Sequence, residues 1–352
     1  MLLEENRLLA PFTTLGIGGP ARWFVKAASE EAIAEAAAWA GGHAQPLFVL
    51  GGGSNLLIAD VGFDGLVVQV GLRGIARTEA QDQSGQVIYQ AAAGEDWDGF
   101  VELAVADNCA GIECLAGIPG TVGGTPVQNV GAYGQEVAST IEQVRAYDLM
   151  EHRFVEFTAA ECGFGYRRSR FNSTDRGRYV VTRVDYRLKP GGTPTLRYAD
   201  LQRAFPAGSD VNLIEVAAAV RRVRQSKGML LVEGDADCRS AGSFFKNPMA
   251  TEEQVRQIAA AIGHEPPRFP AGPEPENAGR VKIPAAWLIE QAGFAKGYAL
   301  GAAGVSSRHT LALINRGGAT AAEILALAAR IADAVETRFG IRLDMEPVMV
   351  GF

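Results

Sequence analysis

Cysteine and histidine are scarce in this sequence, with four of each among 352 residues. Cys109, Cys114, Cys162 and Cys238 form no CxxC pair and no regular framework. In a chain of this length that excludes a disulfide-stapled scaffold and predicts reduced thiols in a cytoplasmic protein. Neither HExxH nor a Cys/His cluster occurs, so no metal is expected. Net basic charge is lacking too. The formal net charge is -7, whereas general nucleic-acid binding needs a basic face to neutralise phosphates. A locally basic pocket for a small anion is compatible with that balance. Long apolar runs are also missing: Ala27–Ala40 and Ile324–Val335 are both interrupted by charges, so no membrane insertion is expected. Met1-Leu2-Leu3-Glu4-Glu5 has neither the basic start nor the apolar core of a secretory signal. What remains is the composition of an ordinary globular protein, 47% hydrophobic and 21% charged, long enough for two or three domains.

Strand and helix signals are mixed along the chain. Pro46–Leu50, Leu66–Val70 and Val87–Ala91 are short β-branched or apolar runs, and strands are expected again at Ile141–Leu149 and Tyr179–Leu188. Ser29 is placed to cap a helix reaching about Trp39, and Trp97–Ala106 has helical spacing. The second half is more helical. Val216–Val223 is amphipathic, and Thr251 with Gln254 and Thr320 with Glu323 form capping boxes. The last helix should stop at Gly340, followed by a strand over Ile341–Val350. Pro266–Pro284 has the composition of a surface loop. This pattern is α+β with at least two domains.

Two glycine clusters stand out. Val49-Leu50-Gly51-Gly52-Gly53-Ser54-Asn55 runs from a strand into bare backbone, which can present N–H groups to a diphosphate or simply make a tight turn. It is neither GxGxxG nor a P-loop. The second cluster, Gly117-Ile118-Pro119-Gly120-Thr121-Val122-Gly123-Gly124, leads to Gln128-Asn129-Val130-Gly131-Ala132-Tyr133. Two such loops suit one extended ligand such as a dinucleotide, since so much glycine costs backbone entropy. In Gly165-Tyr166-Arg167-Arg168-Ser169, an inward arginine would stabilise a carboxylate or an enolate; adjacent arginines are otherwise commonly a solvated surface. Ser240–Pro248, SAGSFFKNP, is a poor helix and a poor alternating strand. It is either a buried turn with two core phenylalanines or the frame for a reactive Ser243. A hydrolase nucleophile is disfavoured, because GxSxG and a His/Asp arrangement are absent. Asp344 and Glu346 share one face near the C-terminus and could both be exposed; a buried Glu346 would need a partner or a raised pKa.

In this order the motifs GGGSNLL, GIPGTVGG with QNVGAYG, YRRS and AGSFFKNP resemble those of the UDP-N-acetylenolpyruvoylglucosamine reductases, flavoenzymes of bacterial peptidoglycan synthesis and thus of cell-wall biogenesis. The likeness runs from Phe12 to Glu346, and Leu196–Leu201 resembles the tyrosine loop of the longer form. It implies an α+β fold: a two-lobed FAD-binding part of the PCMH/vanillyl-alcohol-oxidase type plus a separate α+β substrate-binding domain. The expected division is residues 1–70 with the returning strand 341–352, then 71–225, then 226–340. FAD is implied to lie on Gly51, Gly52, Gly53, Ser54, Asn55, Gly117, Ile118, Pro119, Gly120, Gly123, Gly124, Gln128, Asn129, Gly131, Ala132 and Tyr133.

By the same resemblance NADPH reduces the flavin, which passes hydride to the enolpyruvyl ether of UDP-N-acetylglucosamine enolpyruvate. Ser243 matches the proton donor, and Arg167 and Glu346 match the residues that stabilise the enolate. Tyr166, Tyr198, Lys227 and Asn247 match substrate contacts, with Lys282, Lys296 and His309 as weaker matches. Lys227 or Lys246 could help Ser243 release its proton. A monomer is expected. Three departures stand in this chain: a longer segment between Lys227 and Ser243, Arg239-Ser240 before AGSFF, and Pro347 after Glu346. Another FAD-linked oxidase or a non-catalytic nucleotide-sugar binder are the competing readings.

Overall fold

The computed structural model describes residues 1–82, 84–271 and 277–352. They form two compact units: residues 1–7, 21–52 and 64–225, and residues 8–20, 53–63 and 226–352. Each mixes strands with helices, as the α+β pattern predicts.

The first unit holds two sheets. One runs in the order Glu4–Leu8, Pro20–Ala27, Phe63–Val70, Leu47–Leu50, the last pair parallel. The other is antiparallel, ordered Arg153–Thr158, Ile141–Asp148, Tyr179–Pro190, Val87–Ala92, Ile75–Glu79. Ser29 caps the helix Glu30–Gly42 by accepting from Ala32 N, and Asp96 caps Trp97–Ala106. Trp97 and Phe100 on that second helix bury against Tyr89 and Tyr186 from the sheet, with ring centroids 5.0–5.8 Å apart. This aromatic cluster anchors the glycine-rich region that follows. Trp97 N donates to Gly120 O at 3.1 Å, and its indole N–H to Leu115 O at 3.2 Å.

The second unit is built on helices Glu252–Ile262, Ala285–Gln291 and Ala321–Phe339. Both capping boxes form, Thr251 with Gln254 and Thr320 with Glu323. Its core includes Phe244, Phe245, Leu288, Ile324 and Ile331, all buried. Two expectations need correction here. The terminal strand is confined to Val348–Val350, parallel to Leu56–Ile58. Upstream, Phe245 instead bridges Met345, Lys246 N donates to Asp344 O, and Glu346 N to Phe244 O. Pro347, which carries no N–H, falls where the chain changes partners. The Pro266–Pro284 segment is not all loop either. Phe269–Pro270 and Arg280–Lys282 pair with each other, and the latter pairs with Met249–Thr251. Residues 272–276 of that segment lie outside the described residues. Among the described residues no helix is long and apolar enough to cross a membrane.

Candidate functional site

In the first unit the two glycine loops meet backbone to backbone. A Cβ built on Gly52 would lie 2.5 Å from Gly120 Cα, and one on Gly51 would lie 3.0 Å from Thr121 Oγ1. Side chains at these points would drive the loops apart. Gly123 is similarly tight, 2.6 Å from Ala93 Cβ, whereas a Cβ on Gly124 would meet nothing within 4 Å. Thus several glycines are explained by loop packing, while Gly124 faces open space. The loops join into one side-chain-poor surface of the kind that lets a dinucleotide approach main-chain amides, so the residues fit FAD.

The second loop also secures the arginine motif. Asn129, buried and in a left-handed conformation (φ 46), donates to Gly165 O at 3.0 Å and to Glu136 at 2.9 Å. Ser169 Oγ donates to Val127 O at 2.6 Å and accepts from Phe171 N, so the last residue of YRRS is a structural staple. Arg167 is half-buried with φ 54, and its Nη1 donates to Gly131 O at 3.1 Å. Its guanidinium lies 5.7 Å from the centre of the Tyr166 ring. Arg168 is exposed, so the motif divides into one inward and one solvated cation. Tyr198, partly exposed, sets its ring edge-on to buried Tyr133 at 5.2 Å. The tyrosine segment therefore lies against the second glycine loop.

Two residues supporting this surface gave no motif signal. Glu113 is fully buried and accepts from Gly111 N, Gln135 Nε2 and Thr195 N, each at 2.8 Å. Arg224 is buried and donates to Gly117 O at 2.8 Å. Burial pushes the Arg224 pKa down, opposed by the Tyr133 hydroxyl, which bonds to it, and by the negative charge of Asp98. Asp98, ion-paired with Arg221 at 2.6 Å, accepts from Gly117 N at 2.5 Å, so both main-chain groups of Gly117 are held by charged side chains.

In the second unit the pairing of residues 244–246 with 344–346 brings Ser243 and Glu346 onto adjoining chain segments. Ser243 is half-buried, and the two phenylalanines after it are fully buried. The core-turn reading of SAGSFFKNP is correct for the phenylalanines, and it leaves the serine at the edge. Glu346 is half-buried and Asp344 exposed. Asn55 fixes the register around Pro347: its Nδ2 donates to Glu346 O at 3.3 Å, and its carbonyl accepts from Val348 N at 2.9 Å. Gly53 belongs to the same packing, because its Cβ would sit 1.8 Å from Phe12 O. Asn247 Oδ1 accepts from Ala285 N at 2.9 Å, committing that oxygen to the start of a helix. Lys282 is half-buried in its short strand, and Lys296 is exposed.

His309 is half-buried, and its pKa falls from 6.5 to about 4, first through burial and then through the charges of Lys227 and Lys296. His309 is therefore neutral near pH 7, and the two lysines give its surroundings a positive potential suited to an anion. A stability prediction follows by linkage. Between about pH 6.5 and about 4 the unfolded chain takes up a proton that folded His309 refuses, so stability drops as pH falls through that window. His309→Gln should flatten this part of the Tm-versus-pH curve. An unchanged slope would show that His309 titrates normally.

The chain is similar to known proteins over nearly its whole length. A family model described as an FAD binding domain matches residues 21–153. Another, the C-terminal domain of UDP-N-acetylenolpyruvoylglucosamine reductase, matches residues 234–350. The reductase of that name from Thermobifida fusca is 46% identical across 99% of this chain and 98% of its own length. The Streptomyces coelicolor enzyme is also 46% identical, covering 97% and 89%. In structure, the chain is similar to UDP-N-acetylenolpyruvylglucosamine reductase from Thermus caldophilus, with TM-score 0.66, 27% identity and 99% and 100% coverage.

Proposed function

The chain belongs to the UDP-N-acetylenolpyruvoylglucosamine reductase family, FAD-dependent oxidoreductases, and from that premise we propose that it reduces UDP-N-acetylglucosamine enolpyruvate to UDP-N-acetylmuramate with NADPH as reductant. The observation that carries the catalytic assignment is the 244–246 to 344–346 pairing, which sets Ser243 and Glu346 on adjoining segments. FAD, when bound, supplies the hydride that side chains cannot. Ser243 gives its hydroxyl proton to the substrate carbon next to the carboxylate, and a weak acid suffices because that carbon is strongly basic after hydride addition. Arg167, aimed by its bond to Gly131 O, neutralises the charge that develops on the enolate. Glu346 is the second residue assigned to stabilising the enolate.

Lys227, Lys296 and His309 suit the diphosphate of the nucleotide sugar, with Tyr166, Tyr198, Asn247 and Lys282 as further contacts. The residues from Gly51 to Asn55, Gly117 to Gly124 and Gln128 to Tyr133 cradle FAD. In this reading residues 1–70 with 341–352 and residues 71–225 make the two FAD lobes, and 226–340 hold the substrate. The protein acts as a cytoplasmic monomer, and NADPH and the nucleotide sugar use one pocket in turn.

The test is a two-step titration. Under anaerobic conditions NADPH should bleach the yellow enzyme, and the enolpyruvyl sugar should restore the colour. Reduced enzyme that the sugar fails to reoxidise would end this reading.

A further inference from the structure

Between Lys227 and Ser243 lies the segment that is longer here than the motif pattern leads one to expect. Its path is compact. Gly228 takes a left-handed conformation (φ 66), and a Cβ there would lie 3.0 Å from Asp237 Cβ and 3.5 Å from Ser306 Oγ. Cys238 Sγ donates to Leu230 O at 2.7 Å, closing the loop on itself. Asp235 caps the turn Ala236–Cys238 by accepting from Asp237 N at 3.0 Å, and its carboxylate pairs with Arg308 Nη2 at 2.7 Å. The segment thus returns to its starting point, with Asp237 against the residue that follows Lys227.

Asp237 is buried, and its carboxylate is fully engaged by the next loop. Oδ1 accepts from Ser307 N at 2.9 Å, and Oδ2 accepts from Ser307 Oγ at 2.6 Å. Arg308 Nε lies 3.4 Å from Oδ2. Ser306 Oγ completes the turn by accepting from Arg308 N at 3.1 Å and His309 N at 3.3 Å. A buried carboxylate with charged and main-chain donors holds a loop far more firmly than a surface ion pair does. The residue that this turn delivers is His309, whose charge environment is set by Lys227 and Lys296.

We propose that Asp237 is a positioning residue for the nucleotide sugar: its carboxylate fixes the 306–309 turn against Gly228 and so holds His309 and Lys227 in one anion-binding arrangement. The proposal rests on the reading above that Lys227 and His309 contact substrate. It gives the longer segment a function, assembly of the anion-binding wall from two loops distant in sequence. The charge that binds sits on Lys227, and Asp237 acts only through the geometry of that wall.

The test is steady-state kinetics of the FAD-loaded enzyme with the enolpyruvyl sugar, on Asp237→Ala, Lys227→Ala and the double variant. Asp237→Ala should raise KM roughly tenfold with kcat within about twofold, the size expected when one of two coupled contacts is lost. In the double variant KM should match that of Lys227→Ala alone, because both changes remove the same arrangement. Multiplicative effects would overturn the proposal. If Lys227→Ala raises KM and Asp237→Ala does not, only the role of Asp237 falls. If Lys227→Ala leaves KM unchanged, the substrate contact itself falls, and this proposal with it. Should Asp237→Ala fail to fold, Asp237→Asn keeps the size and one acceptor oxygen; a raised KM in it supports the proposal, and a parental KM overturns it.

Discussion

Replacing Ser243 with alanine is expected to leave flavin reduction by NADPH at the parental rate and to slow reoxidation by the enolpyruvyl sugar by ~10²–10⁴-fold, the usual worth of a positioned proton donor. The fold should survive. Phe244 and Phe245 supply the core contacts of this turn, and the pairing with residues 344–346 uses main-chain groups alone. Removing one oxygen from a half-buried side chain leaves those terms in place. Stopped-flow absorbance separates the two half-reactions, because the flavin bleaches in one and recolours in the other. Ser243→Cys should recover part of the second rate, as a thiol also donates a proton. Equal rates in both half-reactions for the alanine variant would remove Ser243 from the chemistry. Slowing of both alike would make it a binding residue instead.

What the sequence disclosed was local. The hydroxyls of Ser29, Thr251 and Thr320 mark helix starts because a cap bonds to amides two or three residues away, and all three form as expected. The end of the chain was harder. Ile341–Val350 has the apolar pattern of one strand, but its partners are two segments nearly 190 residues apart in sequence, and only Pro347 hinted at the change. The family motifs located Arg167, while its orientation depends on Asn129 and Ser169, whose bonds cross to other loops. Asp237 and Glu113 illustrate the same limit. A lone acid, whether among the polar neighbours of Asp237 or the apolar ones of Glu113, has no periodicity, so burial and partners become visible only once distant loops meet.

Glycine is where composition alone misleads most, and a pair of alanine substitutions separates its two uses. Gly52→Ala would place a methyl 2.5 Å from Gly120 Cα and 2.8 Å from Gly120 C, where backbone opposes backbone and neither loop can yield locally. Overpacking of this kind costs about 1–3 kcal/mol, and the loops that separate are the ones proposed to hold FAD. Gly52→Ala should therefore lower Tm and be purified largely colourless, with FAD affinity weakened about 10-fold or more, the equivalent of ~1.4 kcal/mol. Gly124→Ala meets no atom within 4 Å, so the apoprotein should melt at the parental temperature. If Gly124 faces the dinucleotide, its FAD affinity should still fall, since the methyl occupies space that the ligand needs. Calorimetric titration of both apoproteins with FAD reads these quantities directly. A Gly124→Ala protein with parental affinity would mean that the entropy spent on these glycines serves the contact between the loops and not the approach of the cofactor.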